Sequence, residues 1–518
     1  MMRRRLIATA PYAALVALNI LFRLPHLLNA AGVHSDAAIV GLQAMHILNG
    51  ETSRFLWGLG HQGAVEAWVA AAFFAIGGPS PLMLMLAPLS GHLVLCCVVL
   101  ALLNRLLPSR TAAFLACLPL VFTPQAINGI VMYSPRQWSI TFALCGAMLV
   151  AWPARRTPLR LAAGVALSVF SLWLDLFCVL WMPAVALLSW LVSLEPPRSG
   201  KPIALRLAAV AAGAAIGILL VAALRMGAPG RLATFDFGPE FVERNWPLMR
   251  DTTLPWLLGA RTWIQADNLY PDPWQPPAWV AALQWIGAAS APLLVLASVV
   301  LAFSARVRRE TARLVWFGVT AIVTTLGGYL FSNWPGDMWS TRYLTPIIWS
   351  LPFALAALAS AVRPRVLGLL LAPYLSVAAL GGWLSHGNYV NGLLPRVDPR
   401  GSARDEAYLG EYLRLRGYEH GYAQYWLAYR LTFLWRERPT IAPTRTNRYR
   451  PYSEAADRAK KRAYIFHPSE PREQPEDWLA ELRKRPGQIE VVQVAGFTVI
   501  LFDEPATPGT SPASKPLN

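Results

Sequence analysis

The chain has 518 residues, 55% of them hydrophobic and only 14% charged, with a formal net charge of +17. That is too apolar for an ordinary soluble protein and indicates an α-helical polytopic membrane protein, for which length gives no domain count. The basic balance does not argue for nucleic acid, because outside the tail most of it lies in short turns between apolar runs, where it orients helices.

The N-terminus, "MMRRRLIATAPYAALVALNIL", has the basic and apolar regions of a signal peptide, and "LLNAAG" could serve as a cleavage site. An uncleaved first span is the preferred expectation, because many spans follow and need no removable leader. Next comes "HSDAAIVGLQAMHILNGE" (34–51), with one acid, Asp36, ahead of a short helix. Its apolar positions Ile39, Leu42, Met45 and Leu48 suit a helix lying on the membrane surface. A second apolar stretch, 63–78, carries Glu66, is too short to span, and reads as another interfacial helix.

Eleven spans are expected, near 6–22, 82–103, 111–125, 138–152, 161–176, 177–194, 207–224, 285–303, 314–330, 343–362 and 367–384. Basic clusters recur at every second turn: Arg3, Arg4 and Arg5; Arg105 and Arg110; Arg155, Arg156 and Arg160; Arg198, Lys201 and Arg206; Arg306, Arg308, Arg309 and Arg313; Arg363 and Arg365. The positive-inside rule puts the N-terminus in the cytoplasm, and an odd number of spans then puts the C-terminus outside. The five cysteines, Cys96, Cys97, Cys117, Cys145 and Cys178, all lie in apolar runs, so neither a disulfide framework nor a cysteine metal site is expected.

Three extracytoplasmic parts follow: the first loop, 29–80; a Trp-, Pro- and Asp-rich loop, 226–284; and the tail from about His386. The expected organisation is a membrane domain over 1–385, a small α/β domain over 386–504 and a disordered end over 505–518. In the tail, 402–417 and 475–485 read as helices, 462–468 as a strand, and 489–503 as paired strands about a glycine turn.

Asp36 admits two readings. Ser35 or Asp36 suits the N-cap of the helix that follows, and a carboxylate held rigidly at a helix start also suits a general base. The layout around it resembles the GT-C superfamily of membrane glycosyltransferases, and most closely the branch similar to protein mannosyltransferases and aminoarabinose transferases with its bacterial relatives. The resemblance is carried by "SDAAIVGLQAMHILNGE" and "GHQGAVEAWVAAAFFAIGGPSPL" in the first loop, "STRYLTPIIWSLPFALA" at a late span, and "GYAQYWLAYRLTF" followed by "RYRPYSE" in the tail. The chain departs from it where Ala37 stands in place of a second acid, where "NGIVMYSPRQW" (128–138) has no acid, and where Gln424 replaces a frequent tail acid. These departures bear on metal use and acceptor activation.

The resemblance implies transfer of a sugar from a polyprenyl-phosphate carrier, such as undecaprenyl phosphate, to an acceptor hydroxyl or amine. Transfer takes place on the outer side of the membrane, usually with inversion. Asp36 is then the expected base and Glu66 a helper. Arg342, Arg136, Arg54 and His61 are candidates for the leaving phosphate, which needs positive charge or hydrogen-bond donors. Asp175, Trp57 and Tyr343 are candidate sugar or acceptor contacts. The expected partners are this donor, membrane lipid, and a glycan, lipid or protein acceptor of the cell envelope. The expected place is the inner (plasma) membrane of a bacterium, with the tail outside.

Each candidate has a plainer explanation. An interfacial Arg often only snorkels. A surface His is common. Asp175 sits where a helical hairpin turns, although an acid between spans is suspect in its own right. Trp246, Trp256, Trp263, Tyr270 and Trp274 in the second large loop could stack on sugar or simply anchor the interface. No cofactor is expected: there is no His-Glu-x-x-His, Walker loop or dinucleotide fingerprint, although a divalent metal stays open. The alternatives are an O-antigen-type polymerase or ligase, a secondary transporter, for which internal repeats would be required, and a non-catalytic scaffold.

Overall fold

The computed structural model describes residues 2–28, 30–133, 135–152, 158–194, 202–228, 236–262, 265, 274–384, 403–468 and 472–505. The chain forms two compact units. The first comprises 1–28, 54–69 and 85–396; the second comprises 29–53, 70–84 and 397–518.

The chain is a polytopic helical protein with a small sheet domain in its tail. Among the described residues, eight helices are long and apolar enough to cross a membrane: Thr9–Leu28, Pro81–Leu106, Leu176–Ser193, Ile203–Arg225, Ala278–Ala302, Arg309–Leu330, Met338–Ala361 and Pro364–Trp383. The other three expected spans are helical but incomplete. Gln137–Ala151 and Pro158–Leu174 have only 15 and 17 residues, against about 20 for a full crossing. Arg110–Val121 and Gln125–Met132 meet at an 85° bend. By length and composition, eight helices suffice on their own, or nine if the bent pair is one span, and two shorter apolar helices stand at the remaining expected positions.

The bend has a local cause. Pro124 supplies no N–H and disfavours helical backbone at Thr123. A carbonyl released at the break finds a partner in Arg23, which is fully buried in the first helix. Its guanidinium donates to the Val121 carbonyl (3.2 Å), the Thr123 hydroxyl (3.0 Å) and the Asn19 side chain (2.8 Å). Thr123 in turn donates to Asn128 Oδ1 at 2.8 Å. Broken backbone at membrane depth is tolerated where protein groups satisfy it in this way.

Small residues bring spans together elsewhere in this unit. A Cβ on Gly146 would lie 2.6 Å from the Gly164 carbonyl oxygen, so Gln137–Ala151 and Pro158–Leu174 touch backbone to backbone. The loop after Ile203–Arg225 returns as the helix Glu240–Leu248. There the buried Asn245 amide donates to the carbonyls of Tyr329, Leu330 and Ser332, at the C-terminal end of Arg309–Leu330. Trp263 and Tyr270 lie outside the described residues.

The second unit holds the helix Ser35–Leu48 and a five-stranded sheet. The strands are β1 (His420–Ala423), β2 (Thr440–Pro443), β3 (Lys461–Phe466), β4 (Gln488–Val494) and β5 (Phe497–Asp503), in the order β2-β1-β3-β5-β4. Strand β1 is parallel to both β2 and β3, while β5 is antiparallel to β3 and β4. The helix Tyr425–Leu434 joins β1 to β2, and Arg450–Arg458 joins β2 to β3 on the far side of β1. Chain direction therefore reverses beside β1. In open α/β sheets, ligands bind outside the carboxyl ends of the strands at such a switch point.

The helices expected near 402–417 and 475–485 form as Ala403–Leu415 and Pro475–Leu482, and the expected strands form as β3, β4 and β5. Within this unit Ser35–Leu48 packs on Tyr425–Leu434. A Cβ on Gly41 would come within 2.5 Å of the Phe433 ring, so glycine is what lets these helices approach so closely. The end of the chain expected to be disordered falls, from 506 on, outside the described residues.

Candidate active site

Neither Ser35 nor Asp36, the two expected candidates, is the N-cap of the helix. That position belongs to His34, whose backbone is extended and whose Nδ1 accepts the Ala37 N–H at 3.4 Å. Ser35 is occupied otherwise: its hydroxyl donates to the Trp426 carbonyl (2.9 Å) and accepts the Arg430 N–H (3.3 Å). Asp36 is the second helical residue, near the positive end of the helix dipole, and its side chain is not consumed by capping.

Asp36 is half-buried. Its Oδ1 accepts a 2.5 Å hydrogen bond from the Tyr425 hydroxyl, and Oδ2 accepts none from any described residue. Tyr425 follows the carboxyl end of β1 as the first residue of its helix. Burial, and then the Asp36 charge, hold its phenol well above the ordinary tyrosine value, while Arg448 pulls the other way. Tyr425 therefore stays a neutral donor, and one carboxylate oxygen is fixed while the other remains open.

The Arg448 charge acts on the Tyr425 phenol from the turn after β2. That turn is pinned by Tyr429, whose hydroxyl accepts the N–H groups of Arg448 (2.6 Å) and Tyr449 (3.2 Å). Below it, Arg430 and Glu406 form a fully buried two-point ion pair at 2.7 and 3.0 Å. Arg430 also donates to the Val33 carbonyl at 2.8 Å, just ahead of Asp36. Both tail segments that carried the family resemblance thus converge on the helix that bears Asp36.

At the other end of that helix, His46 places Nδ1 2.8 Å from Glu51 and Nε2 2.7 Å from Glu437. Glu437 also accepts a 2.5 Å hydrogen bond from Tyr452. Carboxylates at both ring nitrogens require both to donate, which only the imidazolium does. Burial alone would lower the His46 pKa, but the hydrogen bonds and charges of Glu437 and Glu51 together raise it. A raised histidine pKa contributes stability that is complete below the unfolded value and is lost as pH rises through the folded one. Slowed hydrogen exchange in Ser35–Leu48 is therefore expected to weaken as pH rises from about 6.5, the ordinary histidine value. In His46→Gln that dependence should be gone, and an equally steep loss in the variant would refute the role of the His46 ion pairs.

The remaining candidates belong to the first unit. Asp175, 2% exposed, is a junction. It pairs with Arg136 Nε (3.0 Å), accepts from Gln62 (2.7 Å) and caps the turn starting at Leu176 through the Phe177 N–H (2.9 Å). Arg136 thus meets a carboxylate and lies over the Phe177 ring. Glu66 is buried, and its Oε1 accepts the Trp138 N–H at 3.0 Å, at the start of Gln137–Ala151, where the helix dipole favours an acid. Arg342 is exposed, stacks on Tyr343 and donates to its hydroxyl at 3.0 Å, and Tyr343 packs against Trp334. Arg54 is exposed, and Trp57 and His61 are half-buried. Sequence reasoning assigned no role to Tyr425 or Arg448. The aromatic and basic spacing of "GYAQYWLAYR" and "RYRPYSE" was the available signal.

No protein-family model matches the chain, and no curated protein matches it. Among solved structures the chain is similar to ArnT from Cupriavidus metallidurans in the apo state, at 13% identity and a TM-score of 0.49, covering 96% of this chain and 98% of that one. The same protein bound to undecaprenyl phosphate gives 13% identity, a TM-score of 0.47, and 95% and 98% coverage. The archaeal oligosaccharyltransferase AglB from Archaeoglobus fulgidus, in complex with an inhibitory peptide and a dolichol-phosphate, gives 11% identity, a TM-score of 0.46, and 98% and 75% coverage.

Proposed function

We propose that the chain is a membrane glycosyltransferase that moves a sugar from a polyprenyl-phosphate donor to an envelope acceptor on the extracytoplasmic side, with Asp36 as general base. The observation that carries this is the state of Asp36. It is a carboxylate on a short helix after the first apolar segment, released from capping, with Oδ1 fixed by Tyr425 and Oδ2 open. The alternation of basic turns supports the orientation.

In this mechanism Oδ2 takes the proton of the acceptor O–H or N–H as its heteroatom attacks the anomeric carbon. The bond from that carbon to the phosphate oxygen breaks, and the electron pair leaves with polyprenyl phosphate. Negative charge grows on that phosphate, so an electropositive donor set is needed there. Arg342 and Arg54 are suited to it, since neither meets a carboxylate among the described residues. Asp175 and Arg136 balance one another, and Glu66 holds a helix start, so each has a structural role within the first unit. One base and direct displacement give inversion. The product's anomeric configuration, read by nuclear magnetic resonance, should be opposite to the donor's. Retention would refute single displacement.

A further inference from the structure

Arg448 differs from the other basic residues around it. Arg450 pairs with Glu454 at 2.9 Å, and Arg430 is neutralised by Glu406. Arg448 is half-buried, meets no carboxylate among the described residues, and its buried Nε has no hydrogen-bond partner. Its backbone N–H is held by Tyr429, whose ring lies 5.6 Å from that of Tyr425, and its charge acts on the Tyr425 phenol, whose hydroxyl holds Asp36. The turn that carries it is fixed by two backbone N–H groups on Tyr429 and by a left-handed Thr446 (φ +57°). It follows the carboxyl end of β2, beside the switch point of the sheet, where α/β folds take ligands.

A partly desolvated guanidinium with a spare N–H, held rigidly beside a general base, is suited to an anion with planar or tetrahedral oxygens. We infer that Arg448 is a phosphate-binding residue of the tail, taking the phosphate of the polyprenyl-linked donor. Tyr425 acts as the positioning residue that holds Asp36 beside the turn carrying Arg448. This rests on the transferase reading above. It makes the tail domain part of the active site rather than an appendage to it, because charge that grows on the leaving phosphate would be met by a residue 412 positions after the base.

The test is equilibrium binding to the purified full-length protein in nanodiscs, with tryptophan fluorescence as the readout. The probes are undecaprenyl phosphate, undecaprenol and inorganic phosphate. The wild type should bind undecaprenyl phosphate well and undecaprenol weakly. Arg448→Gln should lose at least tenfold in affinity for the phosphate lipid while leaving undecaprenol binding unchanged. Inorganic phosphate should compete only in proportion to its own weak affinity; if it binds as tightly as the lipid, the site belongs to free phosphate and the donor assignment falls. Equal binding of undecaprenyl phosphate by wild type and Arg448→Gln overturns the inference, as does equal binding of lipid phosphate and lipid alcohol by the wild type. If Arg448→Gln does not fold, Arg448→Lys decides the matter. Lysine keeps the charge but loses the fork, so a several-fold weakening is expected and unchanged affinity overturns the inference. Binding needs no turnover, so Arg448-dependent binding without transfer sinks only the transferase reading. Asp36-dependent transfer with Arg448-independent binding sinks only this one.

Discussion

Replacing Arg430 by Met should lower the local stability of the unit that carries Asp36 by about 3–5 kcal/mol, the usual result of stranding one partner of a buried ion pair. Arg430 and Glu406 are 1% and 0% exposed, so solvent cannot take over for the missing charge. The same guanidinium also holds the Val33 carbonyl, immediately before the helix start. The loss should therefore concentrate where the tail grips the first loop. Hydrogen exchange in Tyr425–Leu434 and Ser35–Leu48 should rise together by about two to four orders of magnitude, roughly what that free energy implies. A variant whose exchange matches the wild type in both segments would show that the ion pair does not hold them. Met is the informative substitution because it keeps most of the side-chain volume, so the effect reports charge rather than a cavity.

The second large effect falls on chemistry. Asp36→Asn should cut the rate of transfer about a thousandfold, within the range expected for loss of a general base, while the protein stays folded. The structure makes this substitution clean. The N-cap is His34 and not Asp36, so the helix start is untouched. An Asn Oδ1 can still accept the Tyr425 hydroxyl, so the hydrogen bond survives in kind. What goes is the ability to take a proton. Unfolding of the variant, or an equal fall in donor binding, would show that Asp36 acts as scaffold.

Much of this architecture can be read from the chain. Apolar runs mark the helices, because burial in lipid requires them, and the pattern of the first loop isolates Asp36. Three features were not legible, each for a physical reason. Hydropathy bridges the break at Phe122–Pro124, because a proline surrounded by apolar residues barely lowers a window average. The bend is decided by backbone sterics and by Arg23, about a hundred residues away. The cap was misassigned because Ser and Asp outrank His in local propensity, whereas Ser35 is claimed by Trp426 and Arg430 from nearly four hundred positions downstream. Strands β1 and β2 have four residues each, too few for a period-two signal. Without them the contact of Tyr425 with Asp36, and the placing of the Arg448 turn beside it, cannot be foreseen. The motifs were visible, but not the contact that gives them meaning.

The most direct test of the central claim is transfer of label in membranes from a panel of radiolabelled polyprenyl-phosphate sugars, with the matching nucleotide sugars as the comparison. Wild-type membranes and membranes with equal amounts of folded Asp36→Asn would be assayed side by side. The account predicts that at least one lipid-linked sugar is transferred by the wild type, that no nucleotide sugar is used directly, and that transfer collapses in the variant. Equal transfer by the two proteins would contradict the role of Asp36. Transfer of none of a broad panel by the wild type would contradict the glycosyltransferase assignment itself.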